Sequence, residues 1–111
     1  MQSAYAESFE RVMTCTVAEW LRLLPPAIGS HEFEITTVEA AGSASVQLCN
    51  PNSTQTAIAS LQIRWHAAPP RHIALVRLPQ LCVNFQFAGT NADERVAFMQ
   101  RFDLFMQRGG G

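Results

Sequence analysis

The sequence predicts a single α+β domain: a curved antiparallel sheet of four to five strands, with an N-terminal helix and a C-terminal helix packed on one face, in the order α-β-β-β-β-α. Three observations carry that prediction. Ala59, Leu61, Ile63 and Trp65 alternate with polar neighbours, and Leu81, Val83, Phe85 and Phe87 do the same further on. From Asn91 to Arg108 the apolar period changes from two to 3.6, as a helix laid on that sheet requires. The length, 111 residues, suits one core, so the whole chain reads as one domain ending in a glycine tail, 109–111, that should fray.

Tyr5, Phe9, Val12 and Met13 follow helical spacing, as do Val17, Trp20, Leu21 and Leu24, so the first 24 residues are expected to be helical. Thr14, Cys15 and Thr16 interrupt them, and Thr16 with Glu19 forms a capping-box pattern. A short leading helix and a second from about Val17 to Leu24 follow, with Pro25 and Pro26 expected to stop the second.

His31 to Ala40 and Ala44 to Asn50 read as a hairpin turning at Ala41-Gly42-Ser43, with Gly42 supplying positive φ. Phe33 and Ile35 should share a face with Val46 and Leu48, and Glu32 and Glu34 should point the other way. A two-residue turn sets Ile35 opposite Leu48; a three-residue turn sets Val38 opposite Val46. The polar run Asn50 to Thr56 is a surface loop.

A second hairpin connected by Ala68-Pro69-Pro70-Arg71 aligns Leu61 with Leu78, Ile63 with Val76 and Trp65 with Ala74. A bulge near Pro79-Gln80 would then join inward Ala74, Val76 and Leu78 to inward Leu81, Val83, Phe85 and Phe87 in one bent strand, His72 to Ala88. Asn91 and Glu94 cap the last helix, whose Phe98, Met99, Phe102, Phe105 and Met106 fall on one face, with Gly109 at its C-terminal end. The element order is similar to that of helix-backed curved-sheet folds such as the TATA-binding-protein half-domain and the helix-grip proteins. The likeness is one of order alone, without a shared residue motif, and transfers no function.

Composition narrows the function classes. Net charge is −1, charged residues are 15% against about 25% in ordinary domains, and every basic side chain is arginine, as a GC-rich, bacterial-like genome would encode. Nothing in that balance calls for nucleic acid or an anionic membrane as partner. No apolar run reaches the ~20 residues of a membrane span and no leader opens the chain, so the expected location is cytoplasmic. Three cysteines, far apart and outside any C-x-x-C pair, indicate neither a disulfide framework nor zinc.

No catalytic residue is assigned. His31 projects away from Glu32 and Glu34, His66 and His72 are expected on opposite faces, and Cys82 and Cys49 have no histidine placed beside them. No metal or cofactor is expected, and P-loop, dinucleotide and nucleophile-elbow motifs are missing. The surface to follow is the outer sheet face: Gln62, Arg64, His66, Ile73, Leu75, Arg77, Asn84 and Gln86, joined by Ile58 and Cys82. Apolar residues framed by arginine and amides suit a protein interface, whereas the strand aromatics point inward, away from any nucleic acid base. The expectation is a non-catalytic module that binds a protein partner or itself, as a homodimer. Its alternatives are a small-molecule pocket between the C-terminal helix and the bent sheet near Arg77 or Trp65, and an enzyme using His66, Cys82 or Glu34. Against the interface reading stands cover of that face by the N-terminal helices or the Asn50 to Thr56 loop.

Overall fold

Residues 5–48 and 59–109 are described by the computed structural model, whose elements run β1 (Ser8–Met13), α1 (Val17–Ile28), β2 (Glu32–Val38), β3 (Ala41–Leu48), β4 (Ala59–Ile73), β5 (Val76–Ala88) and α2 (Ala92–Gly109). The five strands form one antiparallel sheet in the order β1-β5-β4-β3-β2, and both helices pack on its inner face. The α+β architecture with a C-terminal helix over the sheet is therefore the observed one. The expected polar loop Asn50 to Thr56, Ile58, Cys49 and the last two glycines lie outside the described residues.

The fifth strand comes from the N-terminus, where a leading helix was expected. Tyr5, Phe9, Val12 and Met13 fit a period of 3.6, but Phe9, Arg11 and Met13 also fit a period of two, and a run this short is settled by its partner. That partner is the free edge of β5: Phe9 pairs with Phe85 and Met13 with Leu81. Phe9 stacks on Phe85 with ring centroids 4.9 Å apart. The strand is then tied to α2. Arg11 and the Tyr5 hydroxyl both donate to the Asp103 carboxylate, Arg95 Nε donates to the Tyr5 carbonyl at 2.8 Å, and the Arg11 guanidinium lies over the rings of Tyr5, Phe9 and Phe85.

Helix α1 begins as expected: Thr16 accepts from the Glu19 amide and the Glu19 carboxylate accepts from the Thr16 amide. It does not end at Leu24. Pro25 and Pro26 sit within its last turn, where two amide donors are forgone, because continuing to Ala27 and Ile28 buries both completely. Asn91 and Glu94 cap α2 reciprocally in the same way. Phe98, Met99, Phe102 and Met106 are buried and Phe105 packs against them, as the helical period required.

Both hairpins turn elsewhere than expected. Strands β2 and β3 are joined by the two residues Glu39-Ala40, which sets Ile35 opposite Ala44 and Phe33 opposite Val46, neither of the two registers anticipated. The faces are nevertheless as read: Val46 is buried, Ile35 packs on the core and Glu32 and Glu34 are exposed. Gly42 is not a turn residue. It lies in β3 opposite Trp65, where a Cβ would stand 2.6 Å from the indole and 2.8 Å from the Thr36 carbonyl.

Strand β4 runs on through Ala68-Pro69-Pro70-Arg71 to Ile73 and turns at Ala74-Leu75, so the three buried pairs expected from a four-residue connection do not form. Leu61 meets Phe87, Ile63 meets Phe85 and Trp65 meets Val83. The irregularity does fall at the level of Pro79, but the extra residue belongs to β4: Ala68 pairs with Gln80 and Arg71 with Leu78, leaving Pro69-Pro70 against Pro79. The expected inward run through Ala74, Val76 and Leu78 ends at Leu81, with Ala74 and Val76 exposed.

The inner rows across the sheet form the core. One runs Phe9, Phe85, Ile63, Ala44, Ile35; the next holds Trp65. Helix α1 sets Trp20 against Trp65 with centroids 5.6 Å apart, and α2 sets Phe102 edge-on to Phe85 at 5.4 Å and Phe98 edge-on to Phe87 at 6.1 Å. Gly42→Ala is expected to cost about 1–3 kcal/mol by forcing that indole or the β2 backbone aside; urea unfolding, with a shift in tryptophan emission, reads it. The turn residues Glu39 and Ala74 both hold φ 54, a left-handed conformation that disfavours a Cβ. Ala74→Gly should therefore stabilise the fold by about 0.5–1 kcal/mol, seen as a raised Tm.

Candidate functional site

The open sheet face places Gln62, Arg64, His66, Asn84 and Gln86 together. Register partners share a face, and the pairs are Gln62 with Gln86, Arg64 with Asn84 and His66 with Cys82. The rows extend outward through Ser45 and Ser43 on β3 and Ser8 and Glu10 on β1. The Ser45 hydroxyl and the Gln62 side-chain oxygen lie 2.6 Å apart, hydrogen-bonded across the strands. Arg64, His66, Asn84 and Gln86 are exposed, and among the described residues no helix covers this face, because α1 packs against Trp65 and Phe102 on the other side.

Ile73, Leu75 and Arg77 are not part of that patch. They belong to an arm formed where β4 and β5 run past their other neighbours: β3 stops pairing at His66 and β1 stops at Leu81. At ~3.3 Å per residue the seven residues 67–73 give the arm a reach of about 20 Å, consistent with the 54 Å long axis of the molecule. Within the arm Ile73 pairs with Val76 and Arg71 with Leu78, which puts three apolar side chains and one guanidinium on one face; His72 and Arg77 pair on the other. Ile73 is 49% exposed, Val76 55% and Leu75 102%. Arg71, His72 and Val76 complete this surface; from the sequence Arg71 is expected in the connection, His72 is weighed only as a metal ligand and Val76 is expected to face inward. The signal that could have found them is the proline spacing, since Pro69, Pro70 and Pro79 bracket a strand-turn-strand segment whose ladder cannot be continued.

The register also brings Cys82 and His66 side by side, which the expected alignment had kept apart. The pair lies on an open face, His66 exposed and Cys82 half-buried, without the enclosing walls that a reacting group needs. Cys15, beside the first turn of α1, has its thiol pushed above the ordinary value by burial and by Glu19, which disfavours the reactive thiolate. The His31 ring lies 5.7 Å from that of Phe98. Among the described residues no three His, Cys, Asp or Glu side chains come close enough to hold a metal ion, and no helix is long and apolar enough to cross a membrane.

Two clefts bear on the small-molecule alternative. Trp65 is 2% exposed and packs edge-on against Trp20, and neither cleft is lined by it. A cleft of about 370 Å³ lies at the base of the arm, lined by Cys15, Val17, Ala67, Pro70, Arg77 and Pro79, against α1 and away from α2. A second, of about 420 Å³, opens between α2 and the sheet, where His31, Leu48, Ala97, Phe98 and Arg101 meet Asp93 and Glu94. Burial first, then the Arg101 charge, push His31 below the usual imidazole range.

No protein-family model and no curated protein matches this chain. Among solved structures it is similar to TTHA0849 from Thermus thermophilus, at 11% identity over 92% of this chain and 91% of that one, with a TM-score of 0.39. It is also similar to DR_A0006 from Deinococcus radiodurans, at 13% identity over 94% and 97% of the two chains, with a TM-score of 0.33. At that level neither likeness speaks to chemistry.

Because the folded state holds His31 less basic than the unfolded chain does, the unfolded state binds more protons below the free imidazole value of about 6.5. Stability should be full above that value and decline as pH falls through the folded pKa. His31→Gln should flatten this part of a Tm-versus-pH profile, leaving only the carboxylate decline at lower pH.

Proposed function

We propose that this chain is a non-catalytic protein-interaction module of the cytoplasm, which presents its open sheet face and the β4–β5 arm to a partner protein. One observation carries the reading: Leu75, fully exposed, caps an arm whose Ile73 and Val76 stand half out of water. Two-residue turns are ordinarily built from glycine and asparagine. This one uses alanine in a left-handed conformation followed by a leucine that, among the described residues, is fully exposed, a local cost that burial of Leu75 does not offset.

The surroundings define the partner's chemistry. Arg71, His72 and Arg77 flank the apolar tip, and Arg64 lies on the adjoining face, in a protein whose net charge is −1. An apolar groove with an acidic rim is the complementary surface, the tip filling the groove and the guanidinium forks taking carboxylates at its edge. The free thiols of Cys15 and Cys82 agree with a reducing compartment.

Leu75→Asp should leave stability within about 0.5 kcal/mol, because the side chain touches solvent, while abolishing the complex. A photo-crosslinker at Leu75, used in the cell of origin with mass-spectrometric identification, should give a discrete adduct that Ile73→Asp removes. Adducts unaffected by arm substitutions, or none at all, would overturn the reading.

A second reading, a small-molecule binding domain, is favoured by the 420 Å³ cleft, where Leu48 and Phe98 supply an apolar wall and His31 and Arg101 polar edges. Ala97→Trp, which fills that cleft from an exposed position, would erase thermal shifts produced by such ligands and leave the arm's binding untouched.

A further inference from the structure

We propose that the β2 edge pairs antiparallel with β2 of a second copy of this chain, about a two-fold axis through Ile35, joining two five-stranded sheets into one. This goes beyond the arm's partner and stands independently of it.

Among the described residues the edges of the sheet are not equally protected. An edge is ordinarily blunted by proline, by charged side chains, above all inward-pointing ones, by a bulge or by brevity; the charges of β2, Glu32 and Glu34, both lie on the outer face. The arm carries Pro69, Pro70 and Pro79 and a register shift. Strand β1 has Arg11 turned inward on Asp103. Strand β2, Glu-Phe-Glu-Ile-Thr-Thr-Val, has neither proline nor bulge, is rich in β-branched residues, and has six of its seven residues exposed, Phe33 at 40%.

Its backbone polarity, its charges and its turn together select a register. The two-residue turn makes Val38 and Ala41 a hydrogen-bonded pair, so Glu32, Glu34, Thr36 and Val38 direct their amides and carbonyls at β3. Those of Phe33, Ile35 and Thr37 point outward. A symmetric antiparallel partner is centred either on one of these three, as a hydrogen-bonded pair, or on Glu34 or Thr36, as a non-hydrogen-bonded pair. Centred on Glu34, its carboxylate would face its own copy; centred on Thr36, the match would run Phe33 onto Glu39, in the turn. Centred on Phe33, Glu32 of one copy would face Glu34 of the other. Centred on Thr37, the match would run Ile35 onto Glu39, in the turn. Centred on Ile35, Phe33 faces Thr37, Ile35 faces itself, Glu34 faces Thr36 and Glu32 faces Val38. About six main-chain hydrogen bonds form, no two like charges oppose, and Phe33 and Ile35 gain cover on the inner side. A seven-residue seam buries less than the ~800 Å² per partner of a standard interface, so the association is reversible and depends on concentration.

Sedimentation equilibrium of the full chain from micromolar to millimolar concentration should show the mass rising from 12.3 kDa toward twice that value. Thr36→Glu, an exposed position, sets two Glu-Glu pairs across the seam and should weaken association at least about tenfold with Tm unchanged. Adding Glu34→Lys should restore it. Where Thr36→Glu disturbs folding, amide exchange of the unaltered protein decides: Phe33, Ile35 and Thr37 must gain protection as concentration rises. A strict monomer at millimolar concentration overturns the proposal, as does a dimer indifferent to Thr36→Glu. A dimer lost with Leu75→Asp but retained with Thr36→Glu places self-association on the arm and overturns it equally, while leaving the arm's role in binding intact.

Discussion

Trp65 and the space made for it govern this structure. The indole projects inward from the middle of β4, and it fits because Gly42 on the neighbouring strand has no side chain. Trp20 closes over it edge-on, and Trp20 also meets Phe102 at 6.1 Å, so one aromatic contact docks α1 on the sheet and on α2 together. Neither indole N–H has an acceptor among the described residues. Burying a donor without a protein partner costs on the order of 1–3 kcal/mol, against which stands the large aromatic area buried there.

The central face and the last helix were legible because alternation over Leu61 to Trp65 and Leu81 to Phe87 is insensitive to which residues pair. The register was not legible for the same reason. Any alignment that matched parity gave three satisfying apolar pairs, so the agreement among Leu61-Leu78, Ile63-Val76 and Trp65-Ala74 discriminated nothing. Turn chemistry misled in the same direction: glycine and proline drew the turns to Gly42 and to Pro69-Pro70, whereas Glu39 and Ala74 adopt the left-handed conformation with side chains attached. At the N-terminus a six-residue strand imitated a helix, and only the free edge of β5, far off in the sequence, resolves the ambiguity. Helix α1 past Pro25 is a case of apolar burial overriding local propensity.

The candidate surface divided along those errors. Gln62, Arg64, His66, Asn84 and Gln86 follow from parity alone and are found together. Ile73, Leu75 and Arg77 depended on the turn, and moving the turn by a few residues carried them off the sheet to a projecting tip. The two surfaces differ in kind: a flat hydrated face of amides and arginines that any antiparallel sheet can show to water, and an apolar point that departs from every local preference. The second is the more informative, since Leu75 at its tip is fully exposed.

The pairing of β1 with β5 spans most of the chain, and Tyr5 and Arg11 are fastened to Asp103 near its other end. During synthesis the first of these strands to leave the ribosome is thus the last to find its place, and Phe9 and Met13 stay unpartnered until nearly everything else has been made. A nascent chain whose edge strand waits so long for its partner keeps apolar side chains exposed in the meantime, the condition under which misassociation competes with folding.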